Sequence, residues 1–250
     1  MKNNEKAGNL RYALGFLLFS IIFIAIGFSI CALWNHIGKQ SEVSAEHSMN
    51  REDITIVIDP GHGGRDGGAV GLSPTYEKDL NLSIALALRD MLSASGINVI
   101  MTRTEDVMLF SNSGGTLKNQ DLNARLDIAK SAKNVIFVSI HMNSFPIEKY
   151  NGLEVYYSEN APESKIIAKK LRDCVISELN TGQNRQIKPA GSNIFLLDSL
   201  SCPAILVECG FLSNPEDVAR LNDSKYQQKL ALVIASSLHK SILEIKETAS

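Results

Sequence analysis

The chain has 250 residues, of which 44% are hydrophobic, and it is long enough for one domain of about 200 residues with a sizeable core. Beyond residue 47 it carries 21 basic and 24 acidic residues, so this part is mildly acidic. Because it lacks a basic field, nucleic acid is excluded as an expected partner.

The first predicted element is an apolar stretch without charges at residues 13–34, ALGFLLFSIIFIAIGFSICALW. Its 22 residues can cross a hydrocarbon core of roughly 30 Å, which predicts a transmembrane helix that acts as a signal anchor. A cleaved signal peptide is the alternative, because VSA at residues 43–45 fits a small-residue cleavage site. The length of the apolar stretch and its distance from VSA favour the uncleaved anchor.

Basic residues flank this stretch unequally. Lys2, Lys6 and Arg11 precede it, whereas Lys39 alone follows it closely. The positive-inside rule therefore predicts a cytoplasmic N-terminus at residues 1–12 and a single-pass membrane protein whose remaining chain lies outside the cell. Residues 35–52 are polar and aperiodic and predict a linker, which leaves residues 53–250 as the extracytoplasmic domain.

Short β-branched runs alternate with helical periodicity in this domain. Strands are predicted at residues 54–59, 97–102, 135–140, 152–158, 193–197 and 204–209. Helices are predicted at about residues 77–95, 121–132, 162–180, 215–222 and 224–245. Residues 104–120 predict a long loop that contacts a substrate or partner, or else only solvent. The alternation predicts an α/β fold with a mostly parallel, twisted sheet and helices on both faces.

Unusual polar sequences follow three of these strands: DPGHGG, SIHMNS and VECGFLSN. Ligands of such sheets bind at the carboxyl ends of the strands, where the three sequences are expected to meet. The glycine-rich run at residues 61–71 lacks the Lys-Ser/Thr pair of a phosphate-binding loop, and Pro74 lies between this run and the predicted helix. We therefore expect its glycines to form a flexible rim that brings His62 to a metal ion rather than to a phosphate.

His62 and His141 both follow apolar strands at this edge, which favours a metal site over two structural histidines. Catalytic zinc commonly takes two histidines and a carboxylate and keeps a fourth position for water. Three carboxylates compete for the third position, namely Asp66, Glu77 and Asp79, and spacing alone leaves the choice among them open.

Glu208 ends the apolar run AILV, where burial would raise its pKa and suit it to proton transfer. The alternative is an edge carboxylate paired with a lysine. Cys209 is not expected to be a nucleophile, because both nearby histidines are assigned to the metal. Cys202 and Cys209 would stand roughly 23 Å apart on a strand, too far for a disulfide.

Five motifs in this order resemble the zinc-dependent N-acetylmuramoyl-L-alanine amidases, which cleave bacterial peptidoglycan: DPGHGGRDGGAVG, EKDLNL, MTRTED, SIHMNS and VECGFLSNPED. The resemblance covers about residues 54–242. It implies that His62, Glu77 and His141 bind Zn²⁺ and that Glu208 is the catalytic acid/base. Asn143, beside His141, is expected either to orient the substrate or to form a turn or cap.

The implied reaction is hydrolysis of the amide bond between N-acetylmuramic acid and the L-alanine of the stem peptide. Chain length and the N-terminal anchor are also similar to a narrower group, the membrane-anchored spore-cortex amidases of the CwlD group, which act in the formation of muramic lactam. The expected partners are peptidoglycan, the membrane and, as an open question, an accessory regulatory protein. A non-catalytic domain that binds peptidoglycan or a partner is the alternative function.

Overall fold

The structure is a computed structural model that describes residues 54–71, 75–111, 114–179 and 185–248, with side chains up to residue 245. The predicted cytoplasmic segment 1–12, membrane helix 13–34 and linker 35–52 lie outside the described residues. Among the helices in the described ranges, none is both long enough and apolar enough to cross a membrane.

The described residues form one mostly parallel sheet. Its strands are β1 (Thr55–Pro60), β2 (Asn98–Met101), β3 (Val135–Asn143), β4 (Glu154–Tyr157), β5 (Lys188–Pro189) and β6 (Ala204–Phe211). They are arranged in the order β2-β1-β3-β6-β4-β5. β2, β1, β3 and β6 are parallel, β4 is antiparallel to β6, and β5 is parallel to β4. The predicted α/β class and largely parallel sheet are thus confirmed.

Helices cover both faces of the sheet. They are α1 (Glu77–Ala94), α2 (Leu117–Ser131), α3 (Pro162–Leu179), α4 (Phe195–Ser199), α5 (Pro215–Leu221) and α6 (Ser224–Thr248). Alternate residues of β1 point to opposite faces: Ile56 and Ile58 lie in a large core with α1, α3, α5 and α6, whereas Val57 lies in a smaller core with α2 and α4. This arrangement places β3 and β6 at the centre of the sheet, with β1 beside β3, and leaves the carboxyl ends of these strands open for a site.

The strand predicted at residues 193–197 is wrong, since this segment contributes to helix α4 and the fifth strand is Lys188–Pro189. Leu196 and Leu197 are consecutive and both are buried in the smaller core. A strand would point them to opposite faces, whereas one helical turn packs both on the same core.

The loop predicted at residues 104–120 is shorter than expected, because α2 begins at Leu117 rather than near residue 121. The side chain of Thr116 caps this helix by accepting a hydrogen bond from the Asn119 amide at 3.2 Å. The preceding loop is tied to the sheet edge, since Asp106 accepts hydrogen bonds from the Gly64 amide at 2.8 Å and from Lys78.

Candidate active site

The predicted site residues meet at the carboxyl edge of the sheet. His62 follows β1 directly, His141 lies near the end of β3, and Glu208 lies in β6. His141 and Glu208 are register partners in the parallel β3–β6 pair. Glu77 is the first residue of α1, which packs against β1 and β3. Four residues that are distant in sequence are therefore brought to one edge.

Glu77 lies between the two imidazoles. Its Oε1 atom is 2.9 Å from His141 Nδ1 and 3.3 Å from His62 Nε2. One donor atom from each of these three residues can be chosen so that all lie within 4.8 Å of one another. Two imidazoles and a carboxylate are a ligand set typical of catalytic metal sites, so this cluster could hold a metal ion.

The structure also separates the three carboxylates that spacing left as alternatives. Asp66 contacts the other ring nitrogen of His62, with Oδ2 2.9 Å from Nδ1, and so lies outside the cluster. Asp79 is exposed on the outer side of α1. Glu77 is the carboxylate that faces both histidines, while Asp66 is placed to orient the His62 ring from behind.

Glu77 is buried at 3% exposure and is held in place by the main chain. It accepts hydrogen bonds from the amides of Ala69 at 2.8 Å and Met142 at 3.1 Å. Burial alone would raise its pKa, but the bonds with His141 and His62 outweigh burial and hold the pKa well below the usual range. Glu77 is therefore an anion at neutral pH, as a metal ligand would need to be.

Two glycines make room for this cluster. A Cβ atom at Gly61 would overlap the imidazole of His141. Gly68 has a φ of +67°, and a Cβ there would lie 2.5 Å from Glu77 Oε2 and 2.8 Å from the His62 ring. The glycines thus allow close approach of the ligand side chains, and the residues present fit a bound metal ion.

The loop that carries His62 is held firmly, which contradicts the flexible rim expected from its glycines. The carbonyl oxygens of Pro60, Gly61 and His62 all accept hydrogen bonds from buried side chains. His62 itself has a φ of +61°, a left-handed conformation that costs a non-glycine residue roughly 1–2 kcal/mol. The surrounding hydrogen bonds maintain this conformation.

Glu208 lies next to this cluster in a different environment. Burial is the main cause that raises its pKa to about 7, and the negative charges of Glu77 and Glu154 raise it further. Across the described parts of the chain, its Oε2 atom has no hydrogen-bond partner and no salt bridge involves it. The alternative of a lysine-paired edge carboxylate is therefore not observed, and a carboxyl group of this kind can exchange a proton near neutral pH.

Glu154, a residue that the sequence analysis missed, lies on the other side of Glu208. The two are register partners in the antiparallel β4–β6 pair. Glu154 is buried and accepts hydrogen bonds from Lys188 at 2.7 Å, Tyr156 at 2.9 Å, Arg185 at 3.2 Å and Asn143 at 3.3 Å. The sequence pattern that could have revealed Glu154 is a glutamate in the middle of the apolar run GLEVYYS, because a buried charge in a strand requires partners.

Asn143 therefore neither caps a helix nor forms a turn in this structure, since its side chain donates to Glu154. Asn143 and Tyr156 line a cleft of about 360 Å³ that also contains His62, His141 and Glu208. The apolar residues that line the cleft are Leu122, Ile194, Phe195, Leu196, Leu197 and Leu206. A cleft lined by apolar side chains and by convergent polar groups is typical of a substrate site.

The three cysteines in the described part of the chain do not contribute to this cluster. Cys174, Cys202 and Cys209 are free thiols, in agreement with the sequence analysis. Cys209 is 2% exposed, and burial raises the pKa of its thiol far above the ordinary value. A buried, protonated thiol is a poor nucleophile.

Comparison with known proteins agrees with this geometry. Residues 56–240 match the family model described as N-acetylmuramoyl-L-alanine amidase. The germination-specific N-acetylmuramoyl-L-alanine amidase of Bacillus subtilis (strain 168) is 36% identical over 191 residues, which cover 75% of this chain and 78% of that relative.

Solved structures with the same fold include the CwlD amidase from Clostridioides difficile in complex with the GerS lipoprotein. It is 38% identical, with a TM-score of 0.71 over 76% of this chain and 98% of that chain. The N-acetylmuramoyl-L-alanine amidase AmiC2 of Nostoc punctiforme is 33% identical, with a TM-score of 0.66 over 78% of this chain and 97% of that chain.

Proposed function

The chain belongs to the N-acetylmuramoyl-L-alanine amidase family, and from this premise we propose that His62, Glu77 and His141 bind a zinc ion and that Glu208 transfers protons. The protein is a peptidoglycan hydrolase that cleaves the amide bond between N-acetylmuramic acid and the L-alanine of the stem peptide. The observation that carries the zinc proposal is the convergence of two imidazoles and one carboxylate within 4.8 Å. A family member that had become a pure binding domain would be expected to lose one of these groups or Glu208, and this chain retains all four.

The chain's own residues divide the work of hydrolysis. A zinc ion held by these three residues would polarise the scissile carbonyl and make water a stronger nucleophile at neutral pH. Glu208, the buried carboxyl group beside them, accepts a proton from the attacking water and delivers it to the nitrogen of the leaving L-alanine. Asp66 fixes the orientation of His62 through the outer ring nitrogen. Asn143 and Tyr156 border the same cleft and contact the substrate next to Glu208.

The experiment that tests this function combines metal analysis with product analysis. The purified full-length chain should contain one zinc ion per molecule and should release stem peptides with a new L-alanine amino terminus from peptidoglycan. Removal of zinc with a chelator should abolish this release, and added Zn²⁺ should restore it. Full activity in the metal-free protein would refute the zinc proposal without refuting the amidase activity.

We further propose that the substrate is the peptidoglycan of the spore cortex and that an accessory regulatory protein is a partner. The support is the germination-specific relative of Bacillus subtilis and the complex of CwlD with a lipoprotein in Clostridioides difficile. Digestion of vegetative and cortex peptidoglycan with the same preparation tests the substrate, since equal cleavage of both would contradict a cortex preference. Affinity purification from sporulating cells tests the partner.

The proposed location is the cell membrane, with residues 1–12 in the cytoplasm, a signal anchor at residues 13–34, a linker at 35–52 and the catalytic domain from residue 53 outside. The support is the uncharged apolar stretch and the excess of positive charge before it. Protease added to intact protoplasts should remove the catalytic domain and leave the anchor in the membrane fraction. Protection of the whole chain would contradict the orientation.

A further inference from the structure

Arg103 makes an unusual set of contacts beneath the site. Its guanidinium donates four hydrogen bonds, and every acceptor is a main-chain carbonyl oxygen. The acceptors are Pro60 at 2.9 Å, Gly61 at 3.0 Å, Lys78 at 2.9 Å and Glu105 at 3.0 Å. Arg103 is 3% exposed, and no salt bridge within the described residues involves it.

Burial of Arg103 in this arrangement, considered by itself, lowers the free energy of unfolding. A buried cation loses its hydration, and carbonyl dipoles compensate less well than a carboxylate. The neighbouring Arg125 shows the usual solution, because it pairs with Asp59 and Asp121 at 2.7 Å each. Burial and the charge of Arg125 accordingly lower the pKa of Arg103, although an arginine stays charged at any physiological pH. The benefit of Arg103 must therefore lie in the positions of the carbonyls that it holds.

These carbonyls belong to the two segments that carry metal-binding residues. One nitrogen of Arg103, Nη2, bridges Gly61, which precedes His62, and Lys78, which follows Glu77. The bridge fixes the end of β1 against the first turn of α1. It also supports the left-handed conformation of His62, whose Nε2 atom lies 3.3 Å from Glu77 Oε1.

We propose that Arg103 is a positioning residue that pre-organises the metal site by clamping the His62 and Glu77 segments together. This inference rests on the proposed zinc site. The planar guanidinium is required because its nitrogens diverge in a fixed fork, so that Nη2 joins the two segments while Nε holds Pro60 and Nη1 holds Glu105. A lysine keeps the charge, but its single nitrogen has three donors and cannot bind all four carbonyl oxygens, so it cannot hold the bridge in the same geometry.

Substitution Arg103→Lys is therefore expected to weaken zinc binding by roughly 10- to 100-fold, the range found when groups that orient metal ligands are removed. Activity should return at saturating Zn²⁺ with an unchanged KM for peptidoglycan, because Arg103 does not contact the substrate. Arg89→Lys is the matched control, since Arg89 is partly exposed, pairs with the adjacent Asp90 and lies roughly three turns along α1 from Glu77.

The test uses the purified full-length wild type, R103K, R103M and R89K, with zinc affinity measured by competition against a chromogenic chelator and apo-protein unfolding measured in parallel. Weaker zinc binding in R103K than in R89K, with a folded apo state and recovery at saturating zinc, supports the positioning role. R103M removes both the fork and the charge, whereas R103K removes only the fork, so comparison of the two separates these contributions. R103M should bind zinc no better than R103K. Wild-type affinity in R103K, or a loss of binding no larger than its unfolded fraction, overturns the positioning role alone. Failure of the wild type to bind zinc overturns the proposed function as well.

Discussion

Glu208 lies directly opposite His141 across the parallel pair β6–β3, so the two side chains point to the same side of the sheet. The neighbouring register pair Glu154–Glu208 extends this row by one strand. Three adjacent strands thus present an imidazole, a buried carboxyl group with a raised pKa and a carboxylate that accepts hydrogen bonds from Asn143 and Tyr156. The order of these groups follows from strand register, which explains how the site is assembled from distant parts of the chain.

Replacement of Glu208 by Gln should abolish catalysis while zinc stays bound. The amide keeps the shape of the side chain but cannot accept the proton of the attacking water, and such groups contribute roughly 10²- to 10⁴-fold to rate. The rate of appearance of new L-alanine amino termini from purified peptidoglycan measures the effect, with zinc content determined on the same sample. Glu159→Gln, on the exposed surface, is the control and should have wild-type activity. Near-normal cleavage by E208Q would remove Glu208 from the mechanism.

The same substitution should stabilise the zinc-free protein, with a pH dependence that has a definite sign. The folded-state pKa of Glu208 is raised from 4.5 to about 7, so its contribution to stability is full below pH 4.5 and is lost as the pH rises through 7. At pH 8, E208Q avoids a buried, unpaired charge and should be more stable by on the order of 3 kcal/mol, at 1.36 kcal/mol per pKa unit.

Urea unfolding of chelator-treated wild type and E208Q at pH 5 and pH 8 checks this prediction. The difference in unfolding free energy should be large at pH 8 and below about 1 kcal/mol at pH 5. A constant difference at both pH values would show that packing rather than ionisation distinguishes the two side chains.

Gly61→Ala should impair metal binding with little effect on the rest of the fold. The added Cβ atom overlaps the imidazole of His141, which must move away from Glu77. Gly71→Ala is the control, because Gly71 has no positive φ and the nearest atom to its Cβ would be a carbonyl oxygen at 3.5 Å. Isothermal titration with Zn²⁺ should show a loss of affinity for G61A only. Equal affinities in both variants would contradict the close packing described at this glycine.

The sequence predicted the α/β class, most strands and helices, and the edge at which His62, His141 and Glu208 meet, because each of these features depends on local periodicity. Contacts between distant segments could not be predicted in this way. Spacing left Glu77 undecided among three carboxylates, since the choice depends on how α1 packs on β1, and only the family resemblance assigned it. Sequence reasoning assigned no role to Arg103 of the motif MTRTED, and it interpreted the glycines next to His62 as a sign of flexibility. In the structure, buried side chains from other elements, including Arg103, donate hydrogen bonds to the carbonyl oxygens of this loop.

Asp59→Asn should destabilise the domain by about 3–5 kcal/mol, the range for breaking a buried ion pair. Asp59 accepts hydrogen bonds from Arg125, Thr102 and Ser139 at 2.7 Å each, and Asn would leave the buried Arg125 with Asp121 as its single carboxylate.

Burial opposes ionisation of Asp59, but Arg125 and the two hydroxyl groups outweigh it and lower its pKa. Asp59 therefore stabilises the fold above the unfolded-state pKa near 4, and this contribution is lost as the pH falls through the lower folded-state pKa. Urea unfolding of D59N should show the full loss at pH 7 and a smaller one at pH 3. The surface variant Asp90→Asn should be nearly neutral at both pH values, and a comparable loss in it would mean that burial of the Asp59 pair is not what matters.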